Sequence, residues 1–562
     1  MKKIFLAAAL VAMSFASCTN DEAGPSIPQG NEGKNVLIKV DLKSAGTITK
    51  AVGDYEKGTD NENEVSKIDF YFYTAAGEAY PVKANVADGN AIAWTDIPEK
   101  DGKVNNVDEL SQPILVIKQN KIAPPAKVVA IINSNVDYKG KSLVDLGNEI
   151  ITTLHEGDVE NATNFVMSNS VYYDEDNRVE VVASVISQEN IFTTNDENVL
   201  NVDAGEVITG ADVTKFNITP IEIYVERVAA KVRVHAKDGV NLAKIPVYDP
   251  KDATKQMEDA AGNPVYAKIL GWDVTNATAE ANLIKDINVW DATALGLIWN
   301  AQGNYRSYWA NTSAVPAHNL TFNALMAKGK PAYDYYFENT KPYAEENSVK
   351  TGTGNQASQL LVAAQLVDEN GDEIELAKWY NVLYTINDLK IAMINTIASK
   401  VYVFDREEVD NVTGESVKYY KSVSVDDVTF YQTAATAADN RYEVLVKAKD
   451  GNTYYNAKGE VLETAADIIA AIEPAQMWTE GYTYYYTTIK HLGATEKAAE
   501  YGIVRNHIYD ITIDGVKGFG TPVYDPSMKI IPEPVDPQDD LNLAAKINIL
   551  SWSLVNQNVT LQ

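Results

Sequence analysis

The chain has 562 residues and a formal net charge of −30, with 78 acidic against 48 basic side chains. That length exceeds what one hydrophobic core supports, so two or more domains are expected, and so acidic a surface repels phosphate backbones and argues against nucleic acid as a partner. A single cysteine, Cys18, excludes an intramolecular disulfide and any multi-thiolate metal site, and the five histidines (His155, His235, His318, His491 and His507) include no pair at ligand spacing.

The apolar share, 45%, is that of a globular protein, and 32 tyrosines among recurring Thr and Val suit pleated, half-buried surfaces. The chain opens on basic Met1-Lys-Lys3, followed over residues 4–15 by an apolar run too short to span a bilayer. Phe15-Ala-Ser-Cys18 then sets small residues directly before the lone cysteine. This is a lipobox pattern, in which Cys18 becomes an acylated N-terminus; the plainer alternative is an ordinary secretory signal with an incidental Cys. Residues 19–34, rich in Gly, Pro, Asn and acids, read as a flexible tether.

Residues 35–50 follow, and their first half alternates. Val36, Ile38, Val40 and Leu42 fall on one face of an extended chain, and Leu37, Lys39, Asp41 and Lys43 on the other. Just beyond lies the basic site Lys50-Ala51, before an acidic stretch. On its own this is the first strand of a β-domain. Its position between an anchor and an exposed basic site is unusual for a permanent core strand.

Residues 54–64 read as a polar loop, and 65–73 as a strand turned by Ala75-Ala-Gly-Glu78. Strands are expected over 114–118 and 127–133, separated by Pro124-Pro125, and an extended stretch from 164. A helix over 142–154 is marked by Ser142 with Asp145 three residues on, and weakened by Gly147. Residues 220–235 form one long strand whose apolar phase shifts at Arg227-Val228, the mark of a bulge. Lys237-Asp-Gly239 turns the chain, and the domain boundary is set there.

In the second half, strands are expected over 266–274, 333–340, 482–490 and 508–516, and a short helix over 463–473. Glu369-Asn-Gly-Asp372 joins 360–367 to 373–380 as a hairpin, and Lys449-Asp-Gly451 gives a second hairpin signal. Residues 283–312 are loop-like and aromatic, with Trp290, Trp299, Tyr305, Tyr308 and Trp309; such a cluster could stack on a sugar but more often forms core. The fold class is mainly β, two β-sandwich domains with minor helix.

Residues 524–540 carry four prolines, a linker able to reach on the order of 40–50 Å. Beyond it Ala545, Ile547 and Ile549 share one face, Leu550, Trp552 and Leu554 the other, and Val555, Val559 and Leu561 return to the first. Such a strand either folds back as its own domain's last strand or inserts into a neighbour; left exposed it would aggregate.

No HExxH, GxSxG, Walker loop or CxxC is present, so no catalytic residue is named and no metal or cofactor is expected. Gly352-Thr-Gly-Asn-Gln-Ala357 formally fits a dinucleotide fingerprint but follows no strand, and the acids of 368–372 lack the spacing of a calcium loop.

The order of Phe15-Ala-Ser-Cys18, Val225-Glu-Arg-Val-Ala-Ala-Lys231, Phe337-Glu-Asn-Thr340, Val504-Arg-Asn-His-Ile-Tyr509 and Ile549-Leu-Ser-Trp552 resembles the fimbrillins of Bacteroidetes type V pili, within them the major subunit of the minor fimbriae. The resemblance implies transthyretin-like sandwiches in a scheme of signal peptide (1–17), propeptide with tether and first strand (18–50), N-terminal domain (51–237), C-terminal domain (238–523), and linker with donor strand (524–562). It implies lipidation at Cys18, cleavage between Lys50 and Ala51 by a surface protease, and loss of the strand carrying Val36, Ile38, Val40 and Leu42. The opened groove would take the C-terminal strand of the next subunit, with Ile547, Ile549, Leu550, Trp552, Leu554, Val555, Val559 and Leu561 on its faces. The implied partners are other copies in a head-to-tail polymer, accessory pilus subunits and an anchor, the protease, and adhesion targets. The implied place is an extracellular fimbrium whose precursor is lipid-anchored at the outer membrane. One departure stands out: oral relatives carry Arg at the cleavage position, whereas the first arginine here is Arg178. An accessory or tip adhesin of the same pili is the next reading, and a surface glycan-binding lipoprotein or glycoside hydrolase, which would keep its Cys18 anchor, the third.

Overall fold

The computed structural model describes residues 34–44, 58–83, 89–97, 110, 112–119, 123–170, 183–194, 203–275, 277–285, 320–328, 333–337, 358–380, 382–434, 442–489, 502–527, 529–530 and 543–551. The fold is mainly β. In the first sheet, Asn35–Ser44 lies between Ile114–Lys118 and Ile221–Arg227, and the order runs on through Met167–Asn169, Lys127–Ile132, Ile68–Tyr73 and Ala91–Trp94. Ile68–Tyr73 is buried at every position, so its aromatic-rich sequence serves two faces at once.

A second sheet runs Tyr333–Phe337, Ala229–Ala236, His507–Lys517, Ile245–Asp249, Tyr266–Thr275, Gln359–Val367, Tyr482–Thr488 and Thr521–Pro522. The two halves share a rule. The first strand of the first sheet pairs parallel with Ile221–Arg227, and Ala229–Ala236, which opens the second sheet, pairs parallel with His507–Lys517.

The phase shift at Arg227-Val228 is a change of sheet rather than a bulge. Ile221–Arg227 belongs to the first sheet and Ala229–Ala236 to the second, with Val228 alone between them, its N–H held by the Val166 carbonyl at 2.9 Å. The passage between sheets therefore falls at Val228, ahead of the Lys237-Asp-Gly239 turn.

A separate unit is inserted into the second sheet, and the sequence did not separate it. Gln359–Val367 and Tyr482–Thr488 are paired neighbours. Between them lie a five-stranded sheet (Val382–Thr385, Leu376–Trp379, Ala475–Trp478, Tyr442–Ala448, Val428–Ala434) and a three-stranded one (Ser416–Ser422, Tyr402–Val409, Tyr454–Tyr455). The unit has its own core, in which Trp379, Leu389, Met393, Val446 and Ile469 are buried together. The Asn-Gly turn forms, with Gly371 at φ 89° and the Asp368 N–H bonded to the Asp372 carbonyl at 2.9 Å. The hairpin ends at the Val367–Glu373 bridge, because Leu376–Trp379 leaves for the inserted sheet. The Lys449-Asp-Gly451 turn likewise leads into a different sheet.

The expected helix over 142–154 is only Leu143–Gly147. Ser142 Oγ accepts from the Asp145 N–H at 3.1 Å, and the chain is extended again by Ile150–Ile151. Ala465–Ala470 is helical as expected. Ile386–Asn395, capped by Thr385 on Asp388, is a helix the sequence reading did not contain. Among the described residues no helix is long and apolar enough to cross a membrane.

Candidate functional site

The first strand changes partners along its length. Residues 35–39 pair antiparallel with Ile114–Lys118, residues 35–38 also with Ile191–Thr194, and residues 40–44 run parallel to Ile221–Arg227. Val36, Ile38, Val40 and Leu42 enter the main core beside Phe70, Phe72, Ile117, Ile223 and Val225. Leu37, on the opposite face, is also fully buried, among Ile114, Val116, Ile208, Val213, Phe216 and Ile218. Alternation alone did not identify Leu37 as buried, because its cover comes from residues 208–218, far along the chain. Lys39 and Asp41 are half-buried. Burying Val36, Leu37, Ile38, Val40 and Leu42 contributes on the order of 10 kcal/mol, comparable to the whole stability of a domain. Taking the strand away would open an apolar slot and strip ladder partners from the walls on either side.

The tail strand, Leu543–Ser551, pairs antiparallel along His507–Lys517, with Ile549 opposite Tyr509, Ile547 opposite Ile511 and Leu550 opposite Ile508. In this structure it lies on its own chain, in the second sheet, and not beside the first strand. Cys18, Lys50 and Ala51 lie outside the described residues, as do Trp552, Leu554, Val555, Val559 and Leu561, the five aromatics of 290–309 and the Gly352–Ala357 motif.

A third element was not anticipated. The segment read as an acidic loop holds a helical turn, Asp60–Asn63, closed by a capping box: Thr59 Oγ1 accepts from the Glu62 N–H at 3.2 Å and Glu62 Oε2 from the Thr59 N–H at 2.8 Å. Glu62 is 1% exposed. Its Oε1 takes Lys231 Nζ at 2.7 Å and the Tyr335 hydroxyl at 2.6 Å. Arg227 donates to the Glu62 carbonyl at 2.8 Å, to Asn506 Oδ1 at 3.2 Å, and to Asn63. Nearby, Lys285 Nζ meets Glu226 Oε2 at 3.1 Å with both side chains fully buried, and Arg505 donates to the carbonyls of Leu283 and Asn282.

Burial pushes the Glu62 carboxyl up, but the Lys231 bond and charge and the Tyr335 hydroxyl outweigh it and hold the group below its usual value of 4.5. Burial and the Glu62 charge push the Tyr335 hydroxyl up, so it stays a donor. Three segments that carried the sequence resemblance meet here. Val228, Phe337 and Val504 share one core cluster, and Ala229, Tyr335 and Ile508 another. The site is thus a slot filled by the first strand, an edge covered by the tail, and a buried polar clamp between the two sheets. Among the described residues, no group of three or more His, Cys, Asp or Glu stands at metal-holding distance.

Residues 476–558, which include the tail strand, match the family model described as major fimbrial subunit protein type IV, fimbrillin, C-terminal. The chain resembles the fimbrillins. No curated protein matches it. Among solved structures it is similar to a fimbrilin (fimA) from Porphyromonas gingivalis W83, at 14% identity and a TM-score of 0.35 over 93% of this chain and 98% of that one. It is also similar to the tip fimbrial protein Mfa3 of P. gingivalis (11%, TM-score 0.29, 92% and 100%) and to the fimbrial anchor protein Mfa2 of that organism (8%, TM-score 0.22, 74% and 97%). These distant likenesses bear on no residue here.

Proposed function

We propose that the chain is a structural subunit of a pilus shaft, supporting adhesion and biofilm formation, that polymerises by exchanging strands. The precursor is exported as a lipoprotein through Cys18 to the outer membrane. A surface protease that accepts lysine cuts after Lys50. The first strand leaves, and the tail of the next copy fills its slot by β-strand addition. Accessory subunits and an anchor complete the fimbrium.

The observation that carries this reading is the position of the first strand. A segment just upstream of Lys50 fills a central slot, with Val36, Ile38 and Val40 fully buried and partners along both its edges. A cut at Lys50 turns a strand held between two neighbours in the first sheet into a removable plug. The fimbrillin match across the tail supports the second half of the exchange. The tail's pairing with His507–Lys517 means that it must leave this edge to serve another subunit.

Intact mass and N-terminal sequencing of the protein on the cell surface test the reading. An N-terminus at Ala51 is expected; an acylated Cys18 on the mature protein would return the chain to an anchored binder.

A further inference from the structure

The first strand sets a demanding pattern for whatever replaces it. Reading from residue 36, the positions of Val36, Leu37, Ile38, Val40 and Leu42 are buried, and those of Lys39 and Asp41 are half-buried and polar. Leu37 breaks simple alternation, so the pattern has a direction.

The tail meets this pattern once. Leu543-Ala-Ala-Lys-Ile-Asn-Ile549 puts Leu543, Ala544, Ala545, Ile547 and Ile549 at the five buried positions and Lys546 and Asn548 at the two polar ones. Within it, Lys546-Ile-Asn-Ile549 mirrors Lys39-Val-Asp-Leu42 residue by residue: the same Lys, a β-branched residue for another, an amide for its acid, Ile for Leu. No other window of residues 541–562 read in the same direction places apolar residues at all five positions and polar ones at both. Read in reverse, no window does; one near match would set Ser551 in the place of the buried Val36.

We propose that in the polymer residues 543–549 of a second copy occupy the slot in the direction and register of residues 36–42. Ile547 then stands in Val40's place beside Ile221, and Ile549 in Leu42's place beside Ile223. Leu543 and Ala545 take the places of Val36 and Ile38, beside Ile117 and Leu115. This inference rests on the strand-exchange reading and fixes its geometry.

Keeping direction and register has a physical consequence. Parallel and antiparallel ladders place their hydrogen bonds differently. The slot has one wall parallel to the first strand and two antiparallel to it. A donor running the same way meets each wall with the same pattern, so none of the three has to re-register. A slip of one residue would turn every side chain to the wrong face. The two alanines leave unfilled the volume that Leu37 and Ile38 occupy, so the incoming strand fills the slot less fully than the original plug.

The test uses full-length precursor with Cys18 replaced by Ser and a sequence-specific protease site at Lys50. Paired cysteines are introduced as Ile549→Cys with Ile223→Cys, and separately as Ala545→Cys with Ile223→Cys. After cleavage, mild oxidation and a denaturation harsh enough to take apart the polymer of the cysteine-free parent, the first pair is expected to give covalently linked ladders and the second only monomer. Crosslinking by the second pair alone overturns the proposal in favour of the reversed direction, and polymers that neither pair links overturn it as well. If the cysteine-free parent forms no polymer, strand exchange itself fails and the register falls with it. A second measurement avoids buried cysteines. A synthetic peptide of residues 543–551 is offered to the cleaved acceptor, and Ala544→Leu with Ala545→Ile in that peptide should tighten binding by about tenfold or more, since filled cavities of this size stabilise strongly. Unchanged or weaker binding of the filled peptide contradicts the register.

Discussion

At the scale of single residues, Glu62 carries the most specific expectation. Its carboxylate joins Lys231 and Tyr335 across the junction of the two sheets, and both charged side chains are nearly excluded from water. A pair of this kind is modest evidence for net stability, because desolvation offsets the attraction. Removing one partner strands the other charge, at a cost of roughly 3–5 kcal/mol. Glu62→Gln should therefore lower the thermal unfolding temperature at neutral pH, read by calorimetry.

The pH dependence follows from the direction of the shift. The folded value of Glu62 lies below 4.5 and the unfolded value near it, so the unfolded chain takes up the proton first as pH falls. Its contribution is complete above the usual carboxylate range and disappears as pH drops through the lower folded value. The melting-temperature difference between wild type and Glu62→Gln should be largest at neutral pH and shrink in that acidic window. A gap that persists unchanged into strong acid would contradict the assignment. Glu62 was not legible as a site residue. An acidic stretch reads as solvated, and the Thr59-x-x-Glu62 capping spacing, the one signal that could have marked it, was not picked out.

At the scale of elements, the local signals were readable and the pairings less so. The alternation of residues 36–42 identified the core face of the first strand, and the tyrosine- and valine-rich runs marked the strands that build the sheets. Turn chemistry also held, as at Gly371 and Gly451. What a turn's residues do not encode is which sheet the next strand joins. That is settled by pairings such as Leu376 with Trp478, far along the chain, which is why Glu369-Asn-Gly-Asp372 looked like the bend of one hairpin and is the doorway to an inserted unit. The phase shift at Val228 was visible for the same reason that its meaning was not: a change of face in one strand and a change of sheet between two look alike in sequence.

The tail strand gives the prediction at this scale. Deleting residues 547–562 should leave a folded monomer that cannot extend a filament. The tail covers the edge of His507–Lys517, and Ile508, Ile511 and Ile513 of that strand are buried in the structure with the tail in place. If the tail were a permanent last strand, its loss would lower the melting temperature of the monomer sharply. If it is a donor, the monomer should melt close to the full-length protein while polymerisation is lost. Thermal unfolding beside a polymerisation assay separates the two.

For the whole molecule, the structure places the slot and the tail edge in different sheets, joined through Val228 and the clamp of Glu62, Arg227, Lys231 and Asn506. In a head-to-tail polymer each subunit receives a strand in the first sheet and donates one from the second, so this junction would lie between the two connections of every subunit. The sequence indicated two β-rich halves and the order of the end strands. It did not show the inserted unit, whose Tyr- and Val-bearing strands are of the same general kind as those of the sheet that hosts it.

The most direct measurement is made on the precursor with a sequence-specific protease site in place of Lys50. Before cleavage, gel filtration and denaturing gels should show a monomer, because the slot is filled by its own strand. After cleavage, the account predicts release of the N-terminal segment and a denaturant-resistant ladder of multimers, while Lys50→Ala in the native host should leave only unprocessed monomer. A cleaved protein that keeps its first strand bound and stays monomeric, or a ladder that forms equally well without residues 547–562, would contradict it.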